Sequence, residues 1–512
     1  MIACGCFGVG LPGVTLAQSP AANAGKRPLM FSELPADQQA QILGAVAPPP
    51  LPQREAPYST PMYYLLAKGF GAGANGELRL ERNRPDWQEV LIRDWAELGL
   101  TSTHFYTGPT KWQNPDYVQA VRDFRRLSQK YGLKIGVRLG GDEQFQGIEG
   151  SGWNMHPRNP ENRIDEYVQW VAQVAQTFKG QAEYYIVGDE VNANLWEESV
   201  GDGTRTYASA PEERRWTPEI YMQVFTKISQ AIKSADPEAK TCMFGMAGLD
   251  WGYVKALHEL GYTRIADGIA ANPGFSASQA VIDFVAKVRS LSPNMKLYSN
   301  GVGYVPAKVD NPFPSNATNY TYMDDQTQAI MVAKGFISLF DIGWDYTPYY
   351  ILIRQWVLPD GRTAPHWYGF FGLCDLVLDE HGNLTVKHYP AWYAMRTVAH
   401  VFHSRSNTQP APERIHLSEP VDHAASYVRN GYEKLIVLWN DSDDASGKQV
   451  TTTLQIAGTK YTYPVRIPLY NHCNVQDVPY RIERNAVVID NLTVGPGPVI
   501  LRLVAHEQAF AE

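Results

Sequence analysis

The 512-residue chain has five cysteines (Cys4, Cys6, Cys242, Cys374, Cys473), no C-x-x-C pair among them, and no histidine cluster at ligand spacing. A structural zinc site is therefore not expected. Positive charge is not in surplus either: 45 Lys and Arg stand against 53 Asp and Glu, a net charge of −8. Without a basic footprint, nucleic acid is not an expected partner. Beyond the first residues no run of about 20 apolar residues occurs, so no membrane span is expected. No Gly-rich phosphate fingerprint follows the first apolar run, and no G-x-S-x-G sits at a strand end. A dinucleotide-binding open sheet and a serine nucleophile elbow thus lack their sequence signals. No cofactor is implied.

What is present begins with an apolar, Gly-rich stretch, Met1–Ala17, ending Val14-Thr15-Leu16-Ala17 before Gln18. It is similar to the h-region and cleavage end of a secretory signal, without the positive n-region, and predicts a secreted or periplasmic protein. A disordered apolar terminus is the competing reading. Residues 18–60 are rich in Pro, Ala and Gln, including Ala-Pro-Pro-Pro-Leu-Pro at 47–52, and read as a linker or a wrapped segment.

From about residue 61 short apolar runs alternate with amphipathic ones, the pattern of repeated β–α units. Strands are predicted at Tyr63–Leu66, Thr103–Tyr106, Lys134–Leu139, Glu183–Val187, Thr241–Met246, Gly268–Ala271, Lys296–Ser299 and Gly343–Leu352. Each is followed by a segment with helical spacing, the last being Ala391–Phe402. Eight such units over 61–405 predict a (β/α)8 barrel in the α/β class, with insertions at 140–162, 193–216, 305–323 and 353–388. From 406 to 512 the period changes to two. Lys434–Trp439, Gln449–Ile456, Thr462–Pro468, Ala486–Ile489 and Val499–Val504 read as strands of a small antiparallel β-sandwich.

A barrel of this kind carries its reacting groups at the C-terminal strand ends. Polar residues expected there are Arg138, Asp142 and Glu143 after strand three, and Asp189, Glu190 and Asn192 after strand four. Asn272 follows strand six, Asn300 and Tyr304 lie around strand seven, and Trp344 and Asp345 are on strand eight; of these Arg138, Asp189, Asn192, Asn272, Asn300, Tyr304 and Trp344 are the expected sugar contacts. Cleaving a glycosidic bond needs a proton donor for the leaving oxygen and an anion for the oxocarbenium-like transition state, and two carboxyls usually supply both. Glu190 is the best acid, because its strand is apolar and apolar walls raise a carboxyl's pKa. The alternative is that Glu190 merely pairs with Arg138 or another base. The 13 Trp, 29 Tyr and 18 Phe suit a site that stacks on sugar faces. Trp112, Trp153, Trp196, Trp251, Trp344, Trp356 and Trp367 are the candidates near strand ends, with Trp344 and Trp196 preferred.

Two short strands carry a family resemblance. Residues 182–192, Ala-Glu-Tyr-Tyr-Ile-Val-Gly-Asp-Glu-Val-Asn, and 296–304, Lys-Leu-Tyr-Ser-Asn-Gly-Val-Gly-Tyr, resemble the acid/base and nucleophile strands of clan A glycoside hydrolases. The layout over about 60–510 is similar to the family 39 branch. The resemblance implies Glu190 as acid/base, with Asp189 where that clan has the Asn that touches the sugar 2-hydroxyl. It implies Trp344 as the platform under the sugar at the cleavage point, and Asn272 where strand six often carries a His. The strand-seven nucleophile is missing: Gly301 stands in the glutamate's place, or Asn300 after a one-residue slip.

Four readings of Gly301 follow. It is an engineered change, or part of an inverting enzyme whose base is Asp345, Asp142, Glu143 or Asp189. Otherwise a substituent of the substrate makes the attack, or the chain binds glycans without cutting them. A glycoside hydrolase acting on an oligo- or polysaccharide is the leading expectation, a non-catalytic glycan binder the second, and a lyase or transglycosylase the third.

Overall fold

The computed structural model describes residues 30–36, 39, 58–61, 85–100, 102–140, 155–193, 195–199, 205–209, 212–273, 278–299, 324–349, 352–357, 363–365, 372–402, 408–411, 415–429, 433–441, 446–458, 461–472 and 474–505. They form two compact units: one runs from residue 58 to 399, and the other holds 30–36, 39, 400–402 and the residues from 408 onward.

In the first unit eight parallel strands run in chain order: β1 (Tyr58–Pro61), β2 (Ser102–Thr107), β3 (Lys134–Leu139), β4 (Ala182–Asp189), β5 (Thr241–Met246), β6 (Gly268–Ala271), β7 (Lys296–Ser299) and β8 (Thr347–Pro348). β1 to β7 pair in succession, β8 pairs with β1, and an isolated parallel bridge from Tyr298 to Tyr346 joins the β7 side to the β8 side. The ring is thereby closed, and the fold is a (β/α)8 barrel. Its helices are α1 (Pro85–Glu97), α2 (Pro115–Lys130), α3 (Ile164–Phe178), α4 (Pro218–Ala235), α5 (Trp251–Glu259), α6 (Gln279–Leu291), α7 (Asp325–Asp341) and α8 (Pro390–Val401). Side-chain caps start several of them. Asn114, Thr217, Asp250 and Asp324 each accept a backbone N–H of the first turn, which satisfies donors a helix leaves open.

Two sequence expectations need correction. The first strand is Tyr58–Pro61, inside the segment read as linker; Tyr63–Leu66 lies outside the described residues. Strand eight is only Thr347–Pro348, because Gly343, at φ 77, turns the chain out of α7 and leaves Trp344 and Asp345 at the strand's entry. The insertion at 353–388 contains a sheet, β9 (Ile353–Val357), β10 (Thr363–Pro365), β11 (Cys374–Leu378) and β12 (Leu384–His388), ordered β10-β9-β11-β12. Arg354 ties it to the start of α7 through Asp325 at 3.0 Å and lies 3.6 Å over the Tyr389 ring.

Three tyrosines fill the barrel interior. Tyr298 stacks on Tyr346 with ring centroids 4.5 Å apart, and Tyr184 lies 4.4 Å from Tyr298. Such rings fit because small residues face them: a Cβ on Gly136 would strike the Tyr184 ring, and one on Gly268 would strike Tyr298. Gly136→Ala is accordingly expected to destabilise the barrel by about 1–3 kcal/mol through overpacking. A urea-unfolding midpoint checks this, and an unchanged midpoint would show that the ring swings aside at no cost.

The second unit stacks two antiparallel sheets. Its strands are β13 (Gln409–Pro410), β14 (Ile415–Leu417), β15 (His423–Arg429), β16 (Glu433–Trp439), β17 (Val450–Ala457), β18 (Tyr461–Ile467), β19 (Gln476–Asp477), β20 (Arg481–Glu483), β21 (Ala486–Val494) and β22 (Val499–Ala505). One sheet is ordered β13-β15-β16-β22-β18-β19 and the other β14-β17-β21-β20. Ile436, Leu438 and Leu501 from the first meet Leu454, Ile456, Val487 and Ile489 from the second in one apolar core, as the alternation of each strand requires. A short helical turn, Phe31–Glu33, belongs to this unit: the Ser32 N–H donates to the Asp477 carboxylate at 3.1 Å.

Candidate active site

The residues that come together lie at the C-terminal ends of β4, β5 and β6. β4 leaves the sheet through Gly188 at φ 91, and two residues later Glu190 stands at φ 43. A non-glycine residue in that region costs roughly 1–3 kcal/mol and persists only where its surroundings over-determine it. Here they do. The Glu190 N–H donates to the Gly245 carbonyl at 2.9 Å, its carbonyl accepts the Ala193 N–H at 2.9 Å, and its Oε1 accepts the Asn272 side-chain amide at 3.0 Å. The half-buried Glu190 side chain is thus held at the mouth, where chemistry in a (β/α)8 barrel takes place.

Asn192 is also brought here, but its amide is used internally. Its Oδ1 accepts the Ala247 N–H at 3.0 Å, while its Nδ2 donates to the Ala247 carbonyl at 3.2 Å and to Asp250 at 3.5 Å. It locks the turn after β5 rather than facing outward. Sequence reasoning passed over Asp250, the N-cap of α5, which accepts the Tyr253 N–H at 3.0 Å. Only its place three residues past the turn marks it beforehand. Arg138 is buried near the end of β3, in register with Ile186 of β4, on the barrel side that leads up to Glu190. Asp189 is the last residue of β4, in register with Gly245.

Asp345 and Trp344 are not at this mouth. Asp345 accepts the Leu297 N–H at 2.8 Å, Lys296 at 3.0 Å and Arg289 at 2.7 Å. Because β7 begins at Lys296, those contacts place Asp345 at the N-terminal end of the strands, opposite to Glu190. It is a structural ion cluster and not a second catalytic carboxylate. Trp344 is buried, its ring 6.4 Å from Phe284 of α6, so it is core packing rather than a sugar platform. Trp251 likewise meets Phe284, at 6.5 Å. Trp196 lies on one strand of a hairpin, Leu195–Ser199 with Arg205–Ser209, in register with Ala208. Asp142, Glu143, Asn300, Gly301 and Tyr304 lie outside the described residues; the last three directly follow β7. Among the described residues no cluster of His, Cys, Asp or Glu could hold a metal ion, and no helix is long and apolar enough to cross a membrane.

A buried histidine on the same face was not legible beforehand. His156, in the β3–α3 loop, packs edge-on to Trp216 at 5.1 Å. Its Nδ1 accepts the Arg158 N–H at 3.3 Å, so Nε2 carries the hydrogen and donates to the Arg215 carbonyl at 3.1 Å. Burial holds its pKa below the ordinary value, and the Arg158 charge adds to this. The unfolded chain therefore binds the proton more readily than the folded one. Its stabilising contribution is complete above about 6.5 and is lost as pH falls through the lowered folded value. Amide exchange of residues 155–162 and 212–217 is expected to speed up between about pH 7.5 and about pH 5, once corrected for intrinsic rates. His156→Gln should abolish that extra dependence; its persistence would exclude His156 as the cause.

No family model matches the chain, and no curated protein matches it by sequence. Its fold does match solved structures. A monomeric beta-xylosidase from Caulobacter crescentus CB15 superposes with a TM-score of 0.51 at 14% identity, over 89% of this chain and 97% of that one. The GH39 enzyme from Xanthomonas axonopodis pv. citri gives a TM-score of 0.50 at 14% identity, over 90% and 96%. At 14% identity the likeness to both is one of fold.

Proposed function

We propose that the chain is a carbohydrate-active protein, an O-glycoside hydrolase in which Glu190 is the general acid and the second group is non-standard. The observation that carries this reading is Glu190 itself: a carboxyl forced into left-handed backbone at the end of β4 and held there by Gly245, Ala193 and Asn272. Strain retained at a strand end of a (β/α)8 barrel marks a functional position. Glu190 would protonate the leaving oxygen of an oligo- or polysaccharide outside the cell, in the secreted or periplasmic setting that Met1–Ala17 suggests. With Asp345 removed from consideration, Asp142, Glu143 and Asp189 are the remaining candidates for a water-activating base, which an inverting site places about 6.5–9.5 Å from the acid.

A second reading, a glycan binder without turnover, is favoured by one specific feature. The residues after Ser299 run Asn300-Gly301-Val302-Gly303-Tyr304 and contain no carboxylate. Chemical rescue separates the cases. If an emptied nucleophile position is all that is missing, azide or formate should raise cleavage of an activated aryl glycoside well above the rate without it. Brisk cleavage that azide leaves unchanged supports a hydrolase with its own base. No cleavage in either condition, with saturable glycan binding, supports the binder.

A further inference from the structure

We propose that Asn272 is the positioning residue of Glu190, holding Oε1 as a fixed acceptor so that Oε2 is the oxygen that carries and transfers the proton. This rests on the reading of Glu190 as the acid, and it departs from the expectation that Asn272 contacts sugar. The geometry is directional. An amide nitrogen can only donate, and Asn272 Nδ2 donates to Oε1 at 3.0 Å across 82 residues of chain. An oxygen that accepts this bond is the poorer place for a proton, so the proton resides on Oε2.

Consecutive residues of one strand end fix the pairing. Gly245 accepts the backbone N–H of Glu190 at 2.9 Å, and Met246 accepts the backbone N–H of Asn272 at 3.2 Å. Ala247 is tied in both directions to the amide of Asn192, two residues beyond Glu190. The exit of β5 therefore sets the distance between the acid and its amide partner before any substrate arrives, the kind of support that precise proton transfer requires. In hydrolysis the Oε2 proton passes to the leaving oxygen as the anomeric carbon–oxygen bond breaks. Water's oxygen bonds to the anomeric carbon, and the proton that water sheds goes to the second base or to solvent. Glu190 is left as a carboxylate, with Oε1 still accepting from Asn272.

A donor to a carboxylate favours the charged form, so its removal has a sign. The test is carbon-13 NMR titration of the glutamate side-chain carboxyls in the full-length protein, with the Glu190 signal assigned by its loss in Glu190→Gln. Asn272→Ala should raise the Glu190 midpoint by about one to two pH units. Asn272→Asp, of nearly the same shape, should raise it at least as far, because two carboxyls then share the site. The aspartate variant also carries the test if the alanine variant does not fold. Where a cleavable glycoside is in hand, the limb of the pH–rate profile that reports Glu190 should move with the titration. An unchanged Glu190 midpoint in both variants overturns the proposal, and a rise in KM alone would assign Asn272 to the sugar instead. The titration needs no turnover, so a shifted midpoint in a protein that cleaves nothing would uphold the positioning role while defeating the hydrolase reading.

Discussion

Glu190→Gln is expected to lower glycoside turnover by about 10²–10⁴-fold while leaving glycan affinity and thermal stability close to wild type. The size is that of losing one positioned proton donor. Stability should hold because the substitution keeps the shape, the backbone bonds to Gly245 and Ala193, and an Oε1 that still accepts from Asn272 at the 3.0 Å seen for glutamate. The measurement is kcat and KM on an activated and an unactivated glycoside, with a melting curve alongside. Loss confined to kcat, and larger for the poorer leaving group, is the signature of a missing acid. Equal rates for variant and wild type would remove Glu190 from the chemistry, and a collapse of the melting curve would make it a structural residue.

The second large effect is expected in the sandwich. Glu433 and Arg502 are each 0% exposed there and Arg429 is 4% exposed on its side chain. Glu433 accepts Arg429 through one carboxylate oxygen and Arg502 through the other, and Arg429 also donates to the Val401 carbonyl at 3.1 Å. Removing the shared anion leaves two buried guanidinium groups without their counter-charge, at a cost of about 3–5 kcal/mol. Glu433→Ala should therefore lower the urea midpoint of the sandwich transition sharply. The charge logic has a converse. Replacing all three with apolar residues of similar size should cost far less than the single change, since no uncompensated charge then remains. A triple variant no more stable than Glu433→Ala would show that packing, and not charge, sets the penalty.

Much of this architecture is legible in the sequence, and the parts that are not fail for identifiable reasons. Lys134–Leu139, Thr241–Met246, Gly268–Ala271 and Lys296–Ser299 coincide with strands at both ends, because each is a short apolar run with polar or turn-forming neighbours. Strand eight does not, because 343–352 is almost continuously aromatic and apolar, and pattern alone does not show where the turn after α7 ends. Trp344 and Asp345 stand at the entry of the strand under either set of bounds, so the expectation that they reach the mouth does not follow from the pattern. β15, His-Ala-Ala-Ser-Tyr-Val-Arg, carries little strand signal because alanine and serine blur the alternation. The strand that carries Glu190 was clear from its apolar run, as was the neighbourhood of Asn272. Their bond was not, since it is a side-chain contact 82 residues apart in the chain, made across the intervening β5.

The most direct test of the central claim is time-resolved proton NMR of the anomeric region, with wild type and Glu190→Gln incubated side by side on a panel of oligosaccharides and polysaccharides. The account expects new anomeric product signals from at least one glycan with the wild type. With the variant those signals should be slowed at least about 100-fold while broadening of the bound glycan's lines persists. The product's initial anomer then tells inversion from retention, and so whether Asp142, Glu143 or Asp189 should be sought as the base. Product released at the same rate by both proteins, or no product from any glycan with either, would contradict it.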